Sequence, residues 1–457
     1  MMPKPIYATK FDVLVLGGGV SGCCAAIAAA RAGQKTLLVE QNGYLGGALT
    51  GCGVGPMMTF HAGGEQVILG IMQELVSRMQ AAGGSLGHIA DSKDYCGTVT
   101  PFNSEVMKLV LDQMLEQAGC VVLFHTMLAK VNMAGDTITS VTLCNKDGLN
   151  DLVAAVYVDA SGDGDLAAFA GAPMRYGRES DGAAQPMTMN MKYCNVDTEA
   201  LLSHILAHKA DFALLQEGKN PFAPNVPLDL ANFKVAFVAA RQSGEIDFDR
   251  NAVLMFCTDC KGEFILNTTR ILAHDATDAA SLSHAEQLGR KQCAQLDAFM
   301  RKYAPGFANA LLEITGPSIG VRGSRQLVGC YTITQEDLMQ KRKFPDAIAH
   351  SGYPIDIHDP KGAGGESIFL TGDNPYYSLP YRAMVCDTVR NLIVTGRCVS
   401  ATFEAQAGIR TTPTVGALGH AAGAAAALAV QNGGDVKAID VAQLQQNLVV
   451  GGAFLDL

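Results

Sequence analysis

The sequence predicts an α/β protein: a Rossmann-like domain assembled from both ends of the chain, with an α+β domain inserted between them. Three observations predict it. A buried-strand pattern at 11–16 runs straight into the turn Gly17-Gly18-Gly19-Val20-Ser21-Gly22. A second buried-strand pattern appears at 391–395, close to the other end, and between the two lies a long region without regular βαβ spacing. The 457 residues, 48% of them hydrophobic, are enough for one large core or two moderate ones.

Each element follows from local pattern. After the strand at 11–16, an Ala-rich helix is expected over 21–32, stopped by Gly33, and a strand over 35–40, which together make a βαβ unit. Over 67–79, Val67, Ile68, Ile71, Met72, Leu75, Val76 and Met79 fall on one helical face. A helix over 104–118 has Asn103 as its N-cap and Gly119 beyond its end. A strand at 121–124 follows. Alternating segments at 129–133, 138–143 and 152–158, separated by Gly135-Asp136 and Lys146-Asp147-Gly148, then read as a three-stranded meander.

From 169 to 384 the pattern is mixed, with Pro-containing loops at 220–227 and 351–359. Ser283 and Glu286 have the spacing of a capping box for a helix reaching about Tyr303, before Pro305-Gly306. The expected division is therefore 1–168 with 385–457 as the dinucleotide domain and 169–384 as the substrate domain.

Composition narrows the function classes. A net charge of -10 without a Lys/Arg patch argues against nucleic acid. The thirteen scattered cysteines, several in apolar stretches, fit a reduced, cytoplasmic protein. No signal-peptide pattern precedes the first strand, and the small-apolar stretch at 421–430 is too short to span a bilayer, so no membrane span is expected.

The glycine turn lies where dinucleotide chemistry needs it. Gly17 permits the tight turn, Gly19 lets backbone approach a pyrophosphate, and Gly22 lets helix and strand pack closely. The helix start presents unpaired N–H groups to the anion. Glu40, ending the second strand, suits a ribose diol.

Three later stretches carry a resemblance: Tyr44-Leu45-Gly46-Gly47-Ala48-Leu49-Thr50, Val158-Asp159-Ala160-Ser161-Gly162-Asp163-Gly164-Asp165, and Asn391-Leu392-Ile393-Val394-Thr395-Gly396-Arg397-Cys398. With the helix-like segment at 410–423, they make the chain resemble, over nearly its whole length, the FAD-dependent oxidoreductases related to fumarate reductase and succinate dehydrogenase flavoproteins. The resemblance implies a glutathione reductase-like FAD domain holding non-covalent FAD. Its cofactor positions would be Gly17, Gly19, Val20, Ser21, Gly22, Glu40, Gln41, Gly46, Gly47, Ala129, Ser161, Gly162, Gly396, Arg397, Thr412 and Val415. The closing helix would point its positive end at the flavin pyrimidine.

For the substrate, Arg322 and Arg325 in Ile319-Gly320-Val321-Arg322-Gly323-Ser324-Arg325 suit a carboxylate. Arg382 is a third guanidinium, and His358 and Tyr381 are candidates for moving a proton. His61 loosely resembles the site of covalent FAD attachment in succinate dehydrogenases, but an ordinary loop histidine is expected. Cys257 and Cys260 have C-x-x-C spacing without a second pair, and are expected as unpaired thiols rather than a redox or metal site.

These readings give an oxidoreductase moving a hydride between flavin N5 and a small anionic or hydroxylated substrate, with no metal. An electron-transfer flavoprotein or a non-catalytic FAD-binding protein working with a redox partner is the alternative. The second electron partner is open, as is self-association into a homo-oligomer.

Overall fold

The computed structural model describes residues 6–91, 95–208, 211–212 and 229–456. In chain order the elements that position the site begin with β1 (Phe11–Leu16), α1 (Val20–Arg31), β2 (Thr36–Val39), α2 (Ile71–Ala81), α3 (Ser104–Ala118) and β3 (Val121–Leu123). They continue with β4 (Met127–Ala134), β5 (Thr137–Asn145), β6 (Gly148–Leu152) and β7 (Ala154–Asp159). The middle of the chain adds β8 (Met191–Cys194), β9 (Asp229–Asn232), β10 (Val253–Cys257), β11 (Phe264–Leu266), α4 (Ala279–Tyr303) and β12 (Leu311–Thr315). Then come β13 (Ile355–His358), β14 (Gly365–Ile368), β15 (Leu392–Val394) and α5 (Thr412–Gln431).

A five-stranded sheet in the order β15-β7-β1-β2-β3 forms the first layer. All its pairings are parallel, and Ile393, Val158, Val15, Leu38 and Val122 stand side by side across it. Alternation along the strands splits their side chains between two cores. Val13, Val15, Leu38, Val156, Val158 and Ile393 face a core shared with α1, α2, α3 and α5. Leu14, Leu16, Leu37, Val39, Tyr157, Leu392 and Val394 face the meander β4-β5-β6 on the other side. The Rossmann-like α/β class expected from the sequence is therefore present.

The expected third meander strand, 152–158, is two strands. β6 pairs antiparallel with β5, and β7 pairs parallel with β1 and β15. Burial explains the split: β7 is buried on both faces from Val156 to Asp159, whereas in β6 only Leu152 is buried.

Other boundaries also move. The helix expected from 67 begins at Ile71, because Gly70 is left-handed (φ 63°), and Val67 and Ile68 lead in with both N–H groups on the Phe60 carbonyl. α4 starts at Ala279 with Asp278 as its N-cap. Ser283 instead donates to the Ala279 carbonyl, and Glu286 accepts from the Ile319 N–H. The Pro-containing stretch at 351–359, expected as loop, contains β13, which pairs antiparallel with β14. The expected loop at 220–227 lies outside the described residues.

The middle of the chain builds a separate core. The sheet β9-β10-β11-β8-β12 is antiparallel. Met189, Tyr193, Phe237, Phe264, Leu296, Phe299 and Phe307 are buried together between it and α4. This core runs from Met187 to Ile319, while Ile333, Leu338, Ile348, Ile355, Tyr377, Leu379 and Tyr381 join the core of the first layer.

α1 and α5 lie almost backbone to backbone. A Cβ added at Gly419 would stand 2.0 Å from the Ser21 carbonyl oxygen, and one at Gly423 would stand 2.1 Å from that of Ala25. Because glycines four residues apart share a helix face, this small-residue stripe sets how closely the closing helix approaches the glycine turn. The apolar stretch at 421–430 belongs to a 20-residue helix, long and apolar enough to cross a membrane, but 78% of its apolar window is buried inside the protein.

Candidate active site

The glycine turn is shaped by two different requirements. Gly17 has φ 101°, and a Cβ there would meet the Ala160 carbonyl oxygen at 2.4 Å; one at Gly22 would meet the Gly17 carbonyl oxygen at 1.8 Å. These two glycines are demanded by protein packing. Gly19 is not: its φ is ordinary, and the nearest atom to an added Cβ is Gly47 Cα at 3.9 Å. The space before Gly19 is thus open to a ligand rather than filled by protein. Gly19 caps α1 without a side-chain bond, leaving the N–H groups of the first turn available to an anion.

Gly46 and Gly47 close the other wall. The Gly46 N–H donates to the Gly18 carbonyl at 2.9 Å, and an added Cβ on Gly47 would lie 2.8 Å from Gly19 Cα. Glu40 is buried, with Oε2 accepting from the Gly18 N–H at 2.6 Å and Oε1 from the Asn42 N–H at 2.7 Å. Gln41 beside it is exposed, as is Ala129 on β4.

The second expected motif is organised by Asp159, a residue that the sequence reading left out of the site. Its Oδ1 accepts from the Ser161 N–H and hydroxyl at 3.0 and 2.7 Å, and its Oδ2 from the Ala167 N–H at 2.8 Å. Burial raises its carboxyl pKa despite those bonds. Gly162 (φ 85°) packs on the Arg397 guanidinium, which donates to Asp163 Oδ1 at 2.8 Å. Arg397 Nε is buried without a partner among the described residues, a donor that a bound anion would satisfy. Gly396 lies against Ser21, whose hydroxyl is 2.9 Å from that of Thr395.

α5 begins at Thr412 after the N-cap Thr411, with Val415 buried one turn in; the helix expected from 410 is separated from a short one, Phe403–Ile409, by Arg410 and Thr411. Turn 17–22, Glu40, Gly46-Gly47, the Ser161-Gly162 turn and Gly396-Arg397 thus form one continuous wall, and these residues fit a dinucleotide.

A second cluster, polar and largely enclosed, lies beside the start of α5. Asp356 and His358 alternate along β13 onto one face, with Asp356 Oδ2 at 3.3 Å from His358 Nε2. Arg410 Nη2 is 3.3 Å from the Asp356 carbonyl and 3.8 Å from its Oδ2, and the Tyr353 hydroxyl is 3.5 Å from the same oxygen. Arg322 donates to the Pro186 carbonyl at 2.6 Å, and its own carbonyl accepts from Gln406 Nε2 at 2.8 Å. Gln185 links the two sides, donating to Gln406 at 3.0 Å and accepting from the His358 N–H at 3.2 Å.

The charges in this cluster are coupled. Burial raises the proton affinity of Asp356, but His358, Arg410 and Arg322 outweigh it and hold the carboxyl below its usual range. Burial and then Arg322 push His358 down to about 3, so the imidazole is neutral at pH 7. Burial, followed by Arg410 and Arg250, lowers the proton affinity of the Arg322 guanidinium.

Of the five residues expected to be catalytic, Arg322 and His358 meet here. Arg325 instead clamps the second cofactor motif, donating to the Asp163 carbonyl at 2.8 Å and pairing with Asp165. Tyr381 is buried, with its hydroxyl on the Val436 carbonyl at 2.8 Å. Arg382 is half-exposed and paired with Asp346 at 2.9 Å. Neither touches the cluster: the Tyr381 hydroxyl is taken by Val436 and the Arg382 guanidinium by Asp346. His61 Nδ1 is 3.0 Å from the Thr98 hydroxyl.

The reading missed Asp356 and Arg410 as site residues. The i, i+2 spacing of Asp356 and His358 on a strand would have suggested the first; nothing local marks the second.

A family model described as FAD dependent oxidoreductase matches residues 12–448 of the chain. Among solved structures, the flavin-dependent brominase Bmp2 is similar at 14% identity and a TM-score of 0.50, covering 97% of this chain and 84% of that one. The L-proline dehydrogenase from P. horikoshii is similar at 11% identity and a TM-score of 0.47, covering 98% and 99%. A geranylgeranyl bacteriochlorophyll reductase-like protein from Thermoplasma acidophilum is similar at 13% identity and a TM-score of 0.47, covering 96% and 83%.

Proposed function

The chain belongs to the FAD-dependent oxidoreductase family, and from that premise we propose that it is a dehydrogenase or reductase moving a hydride between flavin N5 and a small anionic or hydroxylated substrate. The observation that carries the reading is the meeting of Arg322, Arg410, Asp356 and His358 directly before the N-terminus of α5. FAD, when bound, supplies the hydride acceptor or donor.

The chain's own residues hold the two reactants. Turn 17–22 and the α1 N-terminus take the pyrophosphate, Glu40 the ribose, Arg397 the polar chain beyond it, and Thr412 and Val415 the pyrimidine end. Ala129 and Gln41 lie toward the adenosine end, beside the Thr126 N–H that donates to the Glu40 carbonyl.

Arg322 and Arg410 orient an anionic substrate group. Because ionised Asp356 accepts from His358 Nε2–H, Nδ1 is left with its lone pair and takes or returns the substrate proton. The core from Met187 to Ile319 acts as a cap that excludes water, within a substrate domain of 169–384 laid over an FAD domain of 1–168 and 385–457. The order of the motifs supports a relation to fumarate reductase and succinate dehydrogenase flavoproteins.

The test is anaerobic bleaching of the purified protein with hydroxy acids, amines and polyols, following its visible spectrum before and after acid precipitation. A flavin released by acid and bleached by one class supports the reading. Flavin that no donor bleaches, and that cannot be reoxidised by any unsaturated acid after chemical reduction, overturns it.

A further inference from the structure

The sheet of the Met187–Ile319 core turns a row of polar side chains away from that core. Met187, Met189 and Met191 point into it, so alternation along the extended chain places Thr188 and Asn190 on the opposite face. Asn267 joins them one step beyond the Met191–Leu266 pair of β8 and β11. Its Oδ1 lies 3.3 Å from the Thr188 hydroxyl and 3.4 Å from Arg322 Nη2. Cross-strand neighbours stand about 5 Å apart, so the row leads from Asn190 through Asn267 to a guanidinium of the polar cluster.

The segment that leaves the Gly46-Gly47 wall lies against this row. The Gly51 carbonyl accepts from the Ser318 N–H at 3.0 Å, the Cys52 thiol donates to the Ile319 carbonyl at 3.3 Å, and the Gly53 carbonyl accepts from Asn190 Nδ2 at 3.0 Å. Asn190 therefore stands where the chain running from the cofactor wall meets the sheet that carries Arg322.

One hydrogen-bonding group of Asn190 is left over. A carbonyl only accepts, so the amide nitrogen faces Gly53 and the oxygen occupies the other edge of the planar amide. The residue is 1% exposed, yet Oδ1 has no partner among the described residues. Thr188 does not supply one, because its hydroxyl donates to the Thr269 carbonyl at 2.9 Å. A buried amide oxygen without a donor is costly, and a ligand bearing an O–H or N–H group removes that cost.

We propose that Asn190 determines substrate specificity: its amide oxygen accepts a hydrogen bond from a hydroxyl or amino group of the substrate, while Arg322 holds the acidic group. The inference rests on the hydride-transfer reading above and narrows its substrate to a hydroxy acid or an amino acid, in preference to an acid without such a donor.

The FAD-loaded protein is titrated with propionate, lactate and alanine, and with butyrate, 3-hydroxybutyrate and 3-aminobutyrate, following the heat of binding and the flavin absorption shift. At least one substituted acid is expected to bind about tenfold or more tighter than its parent, because the parent leaves the buried acceptor empty. A hydroxyl is assigned if a hydroxy acid leads, and an amino group if an amino acid does. N190L should bring the ratio of substituted to parent acid to about one. N190D, which keeps an oxygen acceptor, should retain part of it; N190A replaces N190L if the latter does not fold.

Equal binding of every substituted acid and its parent overturns the assignment. So does a ratio that survives in N190L or N190A, since a purely structural bond to Gly53 would weaken both acids alike. A flavin midpoint potential that shifts in N190L while the ratio stays would give the oxygen to a flavin N–H, and likewise overturns it. If the ratios behave as expected but nothing bleaches the flavin, Asn190 stands and the hydride-transfer reading falls. If a donor bleaches it and no ratio appears, the reverse is true.

Discussion

Asp356 Oδ2 stands 3.3 Å from His358 Nε2, two residues along the same short strand, so one carboxylate fixes which imidazole nitrogen carries the proton. Replacing His358 with Gln should keep the flavin bound and slow substrate-dependent bleaching by about 10²–10⁴-fold, the usual contribution of a positioned acid–base group. With its proton affinity held down to about 3, His358 should add no inflection to the free enzyme's pH profile between 5 and 8. A bleaching rate unchanged in H358Q would remove His358 from the chemistry.

Acid should destabilise the protein early. Burial depresses His350 and His420 to about 4, and His358 to about 3, from 6.5. Between those values the unfolded chain binds protons that the folded one does not, so stability is full above about 6.5 and falls as pH drops toward 4. For His350 and His420 the loss is on the order of 1–2 kcal/mol each at pH 5. The urea midpoint, measured at equal flavin saturation, should be lower at pH 5 than at pH 7 with the same slope; a flat midpoint contradicts this.

Gly19 and Gly22 should respond differently to a side chain. Gly19→Val has room in the protein but occupies the space before the α1 N-terminus, so a folded, colourless protein is expected. Gly22→Val drives a side chain into the Gly17 carbonyl and should lower Tm by several degrees or prevent folding. Far-ultraviolet circular dichroism with flavin content separates the two, and full flavin occupancy in G19V would displace the cofactor from the turn.

Gly419→Ala should destabilise by about 1–3 kcal/mol, because its methyl group would press on the Ser21 carbonyl at 2.0 Å and part α1 from α5. The displaced turn should also bind FAD more weakly. Thermal denaturation and flavin titration give both effects, and an unchanged Tm would mean the helices separate freely.

Tyr381→Phe removes the hydroxyl bonded to the Val436 carbonyl and should cost about 1 kcal/mol of stability while leaving the bleaching rate unaltered. A rate loss larger than tenfold would return Tyr381 to the site.

What could be read from the chain depended on whether the interaction was local. Gly22 against Gly17, Glu40 on the Gly18 N–H and the Asn103 cap of α3 are legible because partners a few residues away, or one βαβ unit apart, dictate their residue types, while the left-handed φ of Gly17 marks the turn even though the Ala160 carbonyl it packs on is distant in the chain. The 152–158 segment was misread because alternation and continuous burial meet at Val153, and only the neighbouring strands separate them. Arg325 and Arg382 were grouped with Arg322 by residue type, yet their carboxylate partners, Asp165 and Asp346, lie elsewhere.

By itself the sequence determined the α/β class, the strand–glycine turn–helix unit and its dinucleotide chemistry, since backbone sterics and helix-end electrostatics act over a few residues. Only the tertiary structure decided that Arg322 and Arg410, drawn from separate stretches, stand with Asp356 and His358. It likewise decided that Asp159 anchors the second motif and that Gly419 sets the approach of α5 to Ser21. The physical reason is that long-range charge and close packing depend on distance in space, which chain order does not encode until the two cores have formed and brought these residues together.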